Sequence, residues 1–196
     1  MGDGRKGWVL DKYKFLHMME ETYKSKPGGK WYVFIETDSY VIWRNLVLWL
    51  ERLESVRGGE RGGDKPMFLG SAVWMGDSLF AHGGSGYVLN NGALSRLVGE
   101  GRKGELARVW DDRVQRECCG DVALGIALKE SGVELQDVNP FANGMKPTSM
   151  TYGPDGHWCK PVVFMHSFLP HEISSLWRFE RSREAMGNTD VSFLRN

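Results

Sequence analysis

The segment that most constrains the fold is Trp31-Tyr32-Val33-Phe34-Ile35, which runs without a break into Glu36-Thr37-Asp38. Five β-favouring residues in a row, with no polar alternation, predict a buried central strand of an α/β sheet. Helical spacing flanks it. Upstream, Tyr13, Phe15, Leu16, Met19 and Tyr23 recur at helical intervals over 11–26, and Pro27-Gly28-Gly29 stops the helix. Downstream, Leu46, Leu50 and Leu53 share one side of a helix over 41–53, with Trp49 nearby. Two acidic residues therefore stand at the carboxyl end of a buried strand, where ligands in open α/β sheets bind.

The remaining chain continues the alternation. Strand-like sequence returns at 67–70 and 72–74, and His82-Gly83-Gly84-Ser85-Gly86 leads into Tyr87-Val88-Leu89. A short helix is expected over 91–98 and another over 122–130, closing at Gly132. The stretch 139–156, rich in Pro, Gly and Asn, reads as a loop. A strand over 162–165 leads to His166, and Pro170 opens a last helix through Ile173, Leu176 and Trp177 to about residue 183. The Gly-rich stretch 57–65 reads as a mobile loop rather than a domain linker, because strand-like sequence follows at once. The whole predicts an α/β sandwich around a mixed sheet, one domain over 1–187 with a polar tail over 188–196.

Composition excludes several classes. Lys plus Arg and Asp plus Glu each number 25, so the formal net charge is zero, which argues against a general nucleic-acid binder. Hydrophobic residues at 41% and charged residues at 26% are ordinary globular usage and argue against disorder. No run approaches the roughly 18 apolar residues of a membrane span, and residues 1–14 do not read as a signal peptide. The three cysteines, Cys118, Cys119 and Cys159, allow one bridge and one remaining thiol, and no CxxC pair suggests structural zinc.

Four features could carry chemistry. Glu36 and Asp38 could hold a hard cation such as Mg²⁺ or Mn²⁺; alternatively, Asp38 caps the next helix and Glu36 faces water. Gly83, Gly84 and Gly86 would let backbone approach a ligand closely, or simply form a turn. The pattern is neither a Walker loop nor GxGxxG. Asp121 could be a general base or an N-cap for the helix after it. His166 stands at a second strand end as a candidate metal ligand or a structural histidine, with His157 and His171 close by in sequence.

Taken in order, these segments resemble the inverting β1,3-glycosyltransferases of glycosyltransferase family 31, in the Fringe and core 1 β1,3-galactosyltransferase branch, most closely its fungal members. The resemblance runs from about Trp8 to Arg183 and rests on five stretches: KWYVFIETDSYVIWRNLVLWL, PMFLG, AHGGSGYVL, CGDVALG, and the strand–His166–helix at the end. It implies a GT-A fold and a UDP-sugar donor held through Mn²⁺. Asp38 would be the metal-binding carboxylate of the DxD-like triplet, and His166 the second protein ligand of the metal. Glu36 would lie near the nucleotide-sugar, Asp121 would be the general base, and the Gly83 to Gly86 loop would line the pocket. The implied acceptor is a hydroxyl of a glycan or glycoprotein, and the implied compartment the Golgi or secretory lumen.

Two departures shape the expectation. The triplet is Glu-Thr-Asp rather than three acidic residues. Only 30 residues precede Trp31, so the first βαβ portion of a GT-A domain, with the family's membrane anchor and stem, is expected to be lacking, and activity weak. The alternative is a catalytically impaired relative acting as a carbohydrate-binding or chaperone-like module. A hydrolase using Glu36 and Asp38 as acid and base is disfavoured, because residues two apart cannot flank a sugar.

Overall fold

Two clusters of buried side chains, one on each face of a four-stranded sheet, organise the chain. The computed structural model describes residues 4–56, 65–99, 105–153 and 160–186. The glycines of 58–63, His157, Cys159 and the tail 188–196 lie outside these residues. The elements are α1 (Gly4–Ser25), β1 (Trp31–Phe34), β2 (Tyr40–Val41), α2 (Trp43–Val56), β3 (Phe68–Gly70), β4 (Ala72–Met75), β5 (Ser78–Ala81), β6 (Tyr87–Asn90), α3 (Asn91–Val98), α4 (Leu106–Val114), α5 (Gly120–Glu130), β7 (Leu135–Asp137), β8 (Phe164–Met165) and α6 (Pro170–Ala185). This is a mixed α/β fold, as expected.

The main sheet has the order β1-β6-β3-β7. β6 runs antiparallel to both neighbours, with Phe34 opposite Tyr87 and Leu69 opposite Val88, while β7 lies parallel to β3. One face packs Tyr32, Phe34, Phe68 and Leu89 against Phe15, Leu16 and Met19 of α1, Leu94 of α3, Trp110 of α4 and Leu124 of α5. The other packs Leu69 and Val88 against Leu46 and Trp49 of α2, with Val163 and Phe164. A third, smaller cluster of Tyr40, Met150, Met165 and Phe168 seats Ile173 and Leu176 of α6.

Several expectations are corrected. β1 is an edge strand of this sheet, not a central one. Its Tyr32 and Phe34 enter one core while Trp31 and Val33 pack on the other, so an edge strand covered on both faces shows the same unbroken apolar run as a central one. The helix expected from residue 41 begins at Trp43, after the short β2. The strand expected over 162–165 is only Phe164–Met165, and the loop over 139–156 contains a 3₁₀ turn at Pro147–Ser149. β5, β7 and α4 were not anticipated. In α4 the buried positions are Leu106, Ala107, Trp110 and Val114, a helical spacing. Its start carries no local capping side chain; instead the buried Glu20 of α1 accepts the Leu106 amide at 2.5 Å, from 86 residues away in sequence.

Among the described residues no helix is long and apolar enough to cross a membrane.

Candidate functional site

The ends of β1 and β8 meet the N-terminus of α5 and the turn between β5 and β6 at one end of the sheet, around a cavity of about 410 Å³. That is within the size range of small-molecule sites. Its walls include Glu36, Asp38, His82, Gly84, Asp121 and His166, with Lys12 and Phe15 from α1.

The first wall is acidic. Glu36 and Asp38 follow β1 directly, and His166 follows β8. Each offers one ligand atom, and these atoms lie within 4.8 Å of one another. His166 Nε2 is 3.2 Å from an Asp38 carboxylate oxygen. Backbone ties hold the arrangement: the Phe168 amide donates to the Asp38 carbonyl at 3.0 Å, the Glu36 amide to Ser39 Oγ at 3.1 Å, and Ser39 Oγ to the Gly84 carbonyl at 2.9 Å. Asp38 does not cap α2, which begins five residues later. Two carboxylates and an imidazole are a donor set that fits Mn²⁺ or Mg²⁺ better than a soft metal.

The glycine turn passes between the walls. A Cβ on Gly84 would fall 2.3 Å from His166 Nε2, so only glycine lets the imidazole occupy its place. Gly86, at φ +70°, is not among the cavity-lining residues; the space beside it is taken by the Phe164 ring. Gly83 donates its amide to Asp121 Oδ2 at 3.2 Å.

Asp121 forms the second wall. Cys119 is the N-cap of α5, so Asp121 sits in the first turn rather than at the cap expected for it. A carboxylate there is favoured by the helix dipole. Oδ1 accepts the Val122 amide at 3.0 Å and Oδ2 the Gly83 amide. Each oxygen keeps further acceptor capacity, so the side chain is held while still able to take a proton. Cys118 and Cys119 are bridged to each other just before it.

Sequence reasoning missed three groups here: His82 and Lys12, which line the cavity, and Tyr87, which does not line it but feels the charges of Asp121 and Glu36. His82 sits half-buried, its ring edge-to-face with His166 at 5.4 Å. Burial first, then the His166 ring, holds its pKa below the usual histidine value, against the opposing pull of Asp121 and Glu36. Tyr87 is buried with its hydroxyl unpaired among the described residues, its ring stacked on Phe34 at 5.1 Å. Burial raises its phenol well above the ordinary range, and the charges of Asp121 and Glu36 add to this. Lys12 lies on the buried side of α1 and donates to the Gln115 and Glu117 carbonyls at 2.8 and 3.0 Å. A lysine one turn from Phe15 on an apolar helix side was the available signal for Lys12; the His-x-x-Ser spacing was the signal for His82.

No family model matches the chain, and no curated protein matches it.

Proposed function

We propose that the chain is the catalytic portion of an inverting, metal-dependent glycosyltransferase with a GT-A-like fold. It would transfer a hexose, galactose or a related sugar, from a UDP-sugar to a hydroxyl of a glycan or glycoprotein in β1,3 linkage. One observation carries this reading: a cation-suited group (Glu36, Asp38, His166) and a separately anchored carboxylate (Asp121) face the same cavity across a glycine turn.

On this reading Asp38 and His166 hold Mn²⁺, and Glu36 lies beside the nucleotide-sugar. Bound Mn²⁺ supplies stabilisation of the negative charge that develops on the departing diphosphate. Asp121 takes the proton of the acceptor hydroxyl as that oxygen bonds to the anomeric carbon and the bond to the diphosphate breaks. A single displacement inverts the centre, so no enzyme nucleophile is required. The Gly83 amide and the start of α5 keep Asp121 oriented for that transfer. The family resemblance gives the Golgi or secretory lumen as the compartment.

Calorimetry with UDP tests the reading. UDP is expected to bind in Mn²⁺ and to lose that binding in a chelator. Asp38→Ala and His166→Ala should each weaken Mn²⁺-dependent binding by more than about tenfold, since even outer-shell partners of metal ligands are worth 10–100-fold. Binding indifferent to metal and to both substitutions rejects the assignment.

A further inference from the structure

His82 lines the cavity between the cation-suited wall and Asp121. It closes β5, and its ring caps the 3₁₀ turn Gly83–Ser85. The Ser85 amide donates to Nδ1 at 3.1 Å, and the Ser85 hydroxyl lies 2.7 Å from the same nitrogen. A backbone amide can only donate, so Nδ1 is the acceptor nitrogen of a neutral ring and the proton sits on Nε2. The Nδ1 edge is enclosed, since a Cβ on Gly144 would stand 3.1 Å from Ser85 Oγ and 3.6 Å from Nδ1. Nε2 has no hydrogen-bond partner among the described residues. Its N–H is therefore available to a ligand.

Two acceptors line the same cavity, and the charges of both act on the His82 ring. A point one bond length from Gly83 Cα, the residue after His82, is 3.3 Å from Glu36 Oε1 and 3.6 Å from Asp121 Oδ2. An N–H donor that shares a cavity with carboxylate acceptors complements a hydroxyl, which accepts one hydrogen bond and donates another. An anionic group there would meet the donor but be repelled by both carboxylates. An apolar group would leave the N–H unpaired.

We propose that His82 Nε2–H and the Glu36 carboxylate together form a subsite for one ring hydroxyl of the sugar to be transferred, so that His82 helps to decide which hexose is accepted. This rests on the UDP-sugar reading above. The test compares Mn²⁺-dependent affinities for UDP and for UDP-galactose, UDP-glucose and UDP-N-acetylglucosamine in wild type, His82→Asn and His82→Gln. Asparagine keeps an acceptor for the Ser85 amide but removes the Nε2 donor. Glutamine places an N–H near the Nε2 position.

For the UDP-sugar that wild type favours, His82→Asn should lower the ratio of sugar-nucleotide to UDP affinity by about tenfold, the worth of one lost buried hydrogen bond. UDP affinity itself should stay within about twofold, which also shows that the variant is folded. His82→Gln should recover part of the ratio. If Mn²⁺-dependent UDP binding persists and His82→Asn leaves the ratio unchanged, the His82 subsite is overturned while the UDP reading stands. If UDP does not bind in Mn²⁺, the parent reading falls and the subsite with it.

Discussion

The molecule has a second concavity, and it differs from the first in one respect. It is an open pocket of about 330 Å³ against α6, bordered by Lys146, Phe168, Glu172, Leu176 and Phe179. There the charges answer one another. Lys146 Nζ donates to both Glu172 oxygens, at 2.7 and 3.0 Å, and Glu172 Oε2 also accepts the Leu169 amide at 2.8 Å. In the cavity at the end of the sheet, His82 Nε2 has no hydrogen-bond partner among the described residues, and Asp38 has His166 as its ion-pair partner. Folded chains normally satisfy their buried polar groups internally. The pocket against α6 obeys that rule and helps hold the helix down. The cavity instead leaves the His82 Nε2–H facing it without a partner among the described residues, which marks a group kept available for a ligand.

Asp121→Asn should break this contrast most sharply. The amide keeps its size, but its single oxygen can accept only one of the Gly83 and Val122 amides, and it cannot take a proton. Turnover of UDP-galactose with a glycan acceptor should fall by about 10²–10⁴-fold, the usual worth of a general base. Mn²⁺-dependent UDP affinity should barely move, and stability should fall by no more than about 1 kcal/mol, the worth of the one hydrogen bond the amide cannot accept. Turnover at the wild-type rate would reduce Asp121 to a support for α5.

Gly84→Ala comes next. The added methyl would overlap the His166 imidazole, so the ring must leave its position beside Asp38. Mn²⁺ affinity, measured by calorimetry, should drop by about 10–100-fold. Overpacking should also lower stability by about 1–3 kcal/mol. A variant that binds Mn²⁺ normally would show that His166 is not a ligand.

How much of this could be read from the chain depends on range. Glu36 and Asp38 were legible because an apolar strand ended in acid, and His166 because it followed another β-rich run; both signals are local. Tyr87 was not, because a tyrosine in a strand reads as a β-former, and its burial near the carboxylates of Glu36 and Asp121 exists only once β6 lies against β1. β7 escaped because three residues, Leu135–Asp137, carry no usable period and gain their identity from parallel pairing with β3. α4 escaped for a similar reason: its first amides are satisfied by Glu20 of α1, not by a neighbour in sequence. The central position expected for β1 failed because coverage on both faces, not location in the sheet, sets an apolar run.

The smallest effects belong to the pocket against α6, and they sharpen the comparison from the other side. Lys146→Met and Glu172→Gln should leave Mn²⁺-dependent UDP binding unchanged, because neither residue borders the cavity. Their effect should show in stability against pH instead. The Leu169 amide first, and Lys146 second, hold the Glu172 carboxyl below the usual glutamate range. A carboxyl whose folded pKa is depressed adds stability that is fully present above the unfolded value, about 4.3. That stability is lost as pH falls through the lower folded value. Melting temperatures taken from pH 6 down to pH 3 should therefore fall further for wild type than for Glu172→Gln, with Lys146→Met between them. Equal slopes in all three would mean that the ion pair contributes nothing, as exposed pairs often do. The contrast between a self-satisfied pocket and an open site would then rest on the cavity alone.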